Sequence, residues 1–148
     1  MKKKLFALFT VVAFLFSMIF FATPASATVA SCGSGYTSLG EDVFLYNASH
    51  TWVGTIHVYY AWEQGIYTLC ATTEKAPIIS GKASYTGVWF KIVGQSGWLT
   101  YDAGNYLYYA GPIYLGMVKG PECSYVYGVV TDYGGNRTSG SEYTTCIQ

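Results

Sequence analysis

Charge is scarce in this chain. Only 11% of its 148 residues are charged, eight basic against eight acidic. No basic cluster follows the N-terminal lysines, so the electrostatic footprint of a nucleic-acid binder is missing. The polybasic patch that draws a protein to anionic lipid is missing too. Past residue 22, no apolar run approaches the roughly 18 residues that span a bilayer as a helix. Histidine occurs only as His50 and His57, and no two cysteines stand in a C-x-x-C step. The common zinc and dithiol patterns are therefore absent, and no metal ligand set is expected. No serine sits in a G-x-S-x-G elbow. No stretch after the first 27 residues repeats apolar positions at helical spacing, which excludes a helical domain.

What is present begins with the N-terminus. Lys2, Lys3 and Lys4 precede an apolar run from Leu5 to Ala22, and Ala25-Ser26-Ala27 follows. Basic start, apolar centre and A-x-A step are the layout of a secretory signal peptide over residues 1–27. The expected mature chain, residues 28–148, is long enough for a single β-domain with one core. In it, Lys75, Lys82, Lys91, Lys119 and Arg137 face all eight acids, a net charge of −3. All four cysteines, Cys32, Cys70, Cys123 and Cys146, lie in this part. An even number in a short exported chain reads as two disulfides. Of three possible pairings, Cys32–Cys70 and Cys123–Cys146 are favoured, because each closes a modest loop within one half of the chain. Val29-Ala30-Ser31-Cys32 loosely fits a lipidation box, which would anchor Cys32 to a membrane. It lies well past the apolar run and behind Pro24, so cleavage after Ala27 and free secretion are preferred.

The mature part holds 17 glycines and 15 tyrosines. Short β-rich runs are broken by Gly, Asn, Asp and Pro, the all-β pattern. In the run Thr55 to Trp62, Ile56, Val58, Tyr60 and Trp62 share one face, and Thr55, His57, Tyr59 and Ala61 the other. Glu63-Gln64-Gly65 reads as a three-residue bulged hairpin into a run from Ile66 to Thr73. Further runs cover residues 42–46, 83–93, 98–102, 106–109, 113–118, 124–132 and 142–147. Gln95-Ser96-Gly97 and Ala103-Gly104-Asn105 read as tight hairpins, and Thr138-Ser139-Gly140-Ser141 as a loop. The expected fold is all-β: a single compact antiparallel β-sandwich or small β-barrel of about eight strands.

No catalytic residues are assigned. His57 with Asp42, Asp102 or Asp132 lacks a marked nucleophile, and a hydrogen-bonded strand histidine is the plainer reading. Glu63, Glu122 and Glu142 look like turn or edge positions, and nothing pairs two carboxylates across a sugar. Asn47-Ala48-Ser49 and Asn136-Arg137-Thr138 match the N-glycosylation acceptor but read as loop residues. Aromatic content is the stronger signal. Tyrosine has an apolar body and a polar tip, which suits rims and binding surfaces. Alternation along Tyr106-Leu107-Tyr108-Tyr109 and Tyr125-Val126-Tyr127 makes Tyr106, Tyr108, Tyr109, Tyr114, Tyr125 and Tyr127 a candidate binding surface.

Cys32-Gly33-Ser34-Gly35-Tyr36, the block from Gly104 to Tyr114 with its Tyr108-Tyr109-Ala110-Gly111-Pro112-Ile113-Tyr114 centre, and the late Cys123 and Cys146 follow one another in a familiar order. The arrangement resembles the spore-associated protein A family of small exported proteins. That resemblance implies export, disulfides, a β fold and a place on the cell or spore surface, and it implies no catalytic residues or cofactor. The expected role is a secreted or surface-associated, non-enzymatic one, structural or adhesive on a spore or cell envelope. Its partner would be a cell-wall or spore-surface glycan or protein. The alternatives are a glycan-binding module using exposed Tyr and Trp, or a small secreted antimicrobial or inhibitor.

Overall fold

The structure, a computed structural model, describes residues 31–118 and 122–147. The expected signal peptide lies outside the described residues. Among the described residues, nine strands form two antiparallel sheets. The first sheet contains β1 (Thr37–Ser38), β2 (Val43–Tyr46), β3 (Trp52–Glu63), β4 (Ile66–Lys75) and β7 (Tyr109–Val118). Its order is β1-β3-β4-β7, and β2 also pairs with β3. The second contains β5 (Ser84–Ile92), β6 (Thr100–Tyr106), β8 (Glu122–Thr131) and β9 (Arg137–Ile147), in the order β6-β5-β8-β9. The result is sandwich-like rather than a closed barrel.

Alternation drives this packing. Ile56 and Val58 of β3, Leu69 and Ala71 of β4 and Ile113 and Leu115 of β7 turn inward from the first sheet. Val88 and Phe90 of β5 and Val126 and Val130 of β8 meet them from the second, and Leu45 fills between. These side chains are almost wholly buried. Each of them except Ala71 removes apolar surface from water worth about 1.5–3 kcal/mol. Tyr60 packs partly against this core, but Trp62, expected on the same buried face, is exposed near the end of its strand.

Both favoured disulfides form, Cys32–Cys70 and Cys123–Cys146, and no free cysteine is left among the described residues. Cys32 therefore has no thiol to carry lipid. The first ties the N-terminal segment onto the outer face of β4. The second joins residues directly opposite on β8 and β9.

Several local expectations need correction. The β3–β4 hairpin pairs Glu63 with Ile66, so Gln64-Gly65 is a two-residue turn, with φ of 51° and 81°. Positive φ at both central residues is the type I′ form that suits strand twist. Ala103-Gly104-Asn105 is no hairpin. It lies inside β6, fully paired with β5 from Gly87 to Tyr85. The chain turns instead at Leu107-Tyr108 and crosses to the first sheet. Thr138-Ser139-Gly140-Ser141 is not a loop but part of β9, paired with β8. A Cβ at Gly140 would meet Leu45 Cδ2 at 2.6 Å, so the glycine makes room for β2 instead of breaking a strand.

Candidate functional site

The six tyrosines singled out from the sequence fall in three places. Tyr106, Tyr108 and Tyr109 line an open depression of about 500 Å³ with Asn105, Leu107 and Gly111 at the β6–β7 crossing. Asp102 stiffens that crossing: it accepts from the Tyr106 hydroxyl through Oδ1 and from the Gly111 amide through Oδ2 at 2.7 Å. The Asp102 hydrogen bond, then burial, hold the Tyr106 phenol above its ordinary pKa. Tyr114 is on the outer face of the first sheet, its ring 5.7 Å from that of Tyr36. Tyr125 and Tyr127 are on the outer face of the second sheet.

That last face carries a cluster of three rings. Tyr127 of β8 stands opposite Trp89 of β5, and Tyr125 opposite Lys91. Tyr101 of β6 flanks Trp89 on the other side. The loop between β5 and β6 brings Trp98 over the pair. Ring centroids are 5.5 Å apart for Trp89–Tyr127, 5.6 Å for Trp98–Tyr127 and 6.3 Å for Trp89–Trp98. Such ring pairs each contribute about 0.5–1.5 kcal/mol beyond burial. Trp98 and Tyr101 remain 44% and 65% exposed. An open cavity of about 470 Å³ is lined by Lys91, Val93, Gly94, Trp98, Tyr125 and Tyr127.

A glycine sets the pose of the central indole. Gly87 is the preceding residue on the same face as Trp89. A Cβ there would lie 2.6 Å from the indole Cζ3 and 2.9 Å from Ala103 Cβ. The missing side chain leaves the space beside Ala103 that the six-membered ring of the indole occupies. Trp89 and Trp98 were absent from the sequence-derived surface. The spacing Gly87-x-Trp89, with glycine and tryptophan on one strand face, was the signal for the first. For Trp98 there was none, because a long loop delivers it.

The outer face of the first sheet is chemically different. His57 lies between two carboxylates, Nδ1 at 3.0 Å from Asp42 and Nε2 at 3.3 Å from Glu74. Beside it, burial and the charges of Asp42 and Glu74 raise the Tyr59 phenol. A cavity of about 230 Å³ adjoins, walled by Phe44, Trp52, Pro77 and Thr55. The Trp52 indole N–H donates to the Gly54 carbonyl and the Thr55 hydroxyl, at 2.8 and 3.1 Å. Among the described residues, neither imidazole nitrogen is directed at a hydroxyl, so the nucleophile–base contact of a hydrolase is not formed. No group of His, Cys, Asp and Glu among the described residues is arranged to hold a metal ion.

Asn47 and Asn136 do loop work. Asn47 Oδ1 accepts from the Ser49 and Thr51 amides, and Asn136 donates to Asp132. Those bonds, the Asn136 amide first, hold the Asp132 carboxyl below its usual pKa. No helix among the described residues is long and apolar enough to cross a membrane. Comparison with family models, with curated proteins and with solved structures finds no match for the chain.

Proposed function

We propose that this is an exported or surface-associated, non-enzymatic protein that adheres to polysaccharide through the outer face of its four-stranded sheet. The observation that carries the reading is the Trp89–Trp98–Tyr127 cluster, three rings in mutual contact and open to solvent on one side. A sugar ring offers axial C–H bonds with slight positive charge. An aromatic face offers negative charge and apolar area, so the two stack. Trp89 and Tyr127 are preorganised on paired strands, with Trp98 held against them from the β5–β6 loop, so less side-chain entropy remains to be lost on binding. The two disulfides agree with an oxidising compartment outside the cell. The resemblance to spore-associated proteins favours a cell-wall or spore-surface glycan as the natural attachment.

Native gels cast with soluble polysaccharides test this. Wild-type protein should be retarded, and Trp98→Ala should migrate as in a blank gel while keeping its melting temperature within a few degrees. Unretarded wild-type protein across neutral and acidic polysaccharides would refute the reading.

A further inference from the structure

The ring cluster is not electrically neutral ground. Lys91 projects from β5 on the same face as Trp89, directly opposite Tyr125, and lines the cavity beside Trp98. No hydrogen bond or ion pair engages its ammonium group among the described residues. At the far end of the same face, the Arg137 guanidinium stacks 4.4 Å from the Tyr85 ring centroid, with its side chain exposed. Tyr125 and Thr131 mark the two positions on β8, six residues apart. Along a strand that separation is roughly 20 Å.

Between these cations the outward positions of β5, β6 and β8 are Tyr85, Gly87, Trp89, Tyr101, Ala103, Asn105, Tyr125, Tyr127, Val129 and Thr131, none of them acidic. Asp102 and Glu142 belong to the opposite sheet surface by register, and Asp132 is in the next turn with its carboxylate occupied by Asn136. Asp42 and Glu74 lie on the other side of the sandwich, where they flank His57.

We infer that the ligand of this face is a linear polysaccharide of uronic acids, with its sugar rings on Trp89, Trp98 and Tyr127 and its carboxylates on Lys91 and Arg137. This rests on the adhesive reading and specifies its ligand. A uronate carries its charge on the stacking ring itself. That matches a cation standing two residues along β5 from Trp89, on the same face. The span between Lys91 and Arg137 lets one short oligosaccharide meet both charges.

The test uses alginate and polygalacturonate, each beside its fully methyl-esterified form, in which the charge is removed and the backbone kept. At low salt the acidic forms should bind about tenfold more tightly than the esters, and added salt should erase the gap. Lys91→Gln with Arg137→Gln should remove the preference while retaining ester binding, with an unchanged melting curve. Equal binding of acid and ester, still lost in Trp98→Ala, would overturn the uronate assignment and leave the aromatic platform standing. A preference that survives the double variant would overturn the roles of Lys91 and Arg137. Absence of binding to all four polymers and to neutral polysaccharides would overturn the adhesive reading itself.

Discussion

At the scale of single residues, the argument turns on what a side chain lies against. Gly87 has no side chain, and that leaves the space into which the Trp89 indole reaches. Gly87→Ala is expected to lift the indole, costing about 1–3 kcal/mol by chemical denaturation. It should also blue- or red-shift the tryptophan emission as the ring packing changes. Trp98→Ala should cost less, about 1–2 kcal/mol, since Trp98 loses two ring contacts but leaves no buried hole. Tyr106 offers a test in alkali. Its phenol is raised above its unfolded value, so its contribution to stability is complete below about pH 10 and is lost as pH climbs through the folded value. Ring-resolved NMR titration should find Tyr106 ionising after the ordinary tyrosines, and Asp102→Asn should bring it back toward them. Aromatic abundance was legible in the sequence, and so were Tyr125 and Tyr127 as one-face neighbours. Which rings gather was not: a cluster depends on cross-strand register, and register is a property of pairs of strands rather than of one.

At the scale of elements, alternation carried most of the fold. β3 shows it best: Ile56 and Val58 turn inward and His57 and Tyr59 outward, as the period of two requires. Glycine misled the reading at two strand positions. Gly104 and Gly140 resemble turn residues in sequence, yet both sit within paired strands. Gly140 is there because Leu45 presses against it, a long-range contact that no local pattern announces. The disulfides are separable at this scale. Cys32–Cys70 closes 38 residues and Cys123–Cys146 closes 23. Loop-closure entropy makes removal of the first worth roughly 4 kcal/mol and of the second roughly 3 kcal/mol. Paired Cys→Ser variants compared by denaturant unfolding should show that order. Loss of Cys32–Cys70 should also free the N-terminal segment, seen as faster amide exchange at Thr37 and Ser38 than in the strands they border. Equal losses with no local exchange would show that the first bridge does not hold that edge.

At the scale of the whole molecule, one sandwich presents two unlike faces. One carries an imidazole between two carboxylates, and the other carries contacting, mutually tilted rings between two cations. Under the proposed adhesive role, polysaccharide occupies the ring-bearing face alone. Trp52→Ala on the acidic face should therefore leave polysaccharide retention unchanged, although it removes a tryptophan of similar exposure to Trp98. The most direct measurement is amide chemical-shift mapping with a soluble oligosaccharide of a retained polymer. The account requires shifts confined to residues 85–91, 98–103, 125–131 and 137, with Trp89 and Trp98 indole signals among the largest. Shifts centred on Tyr36, His57 and Tyr114, or spread evenly over both faces, would contradict it.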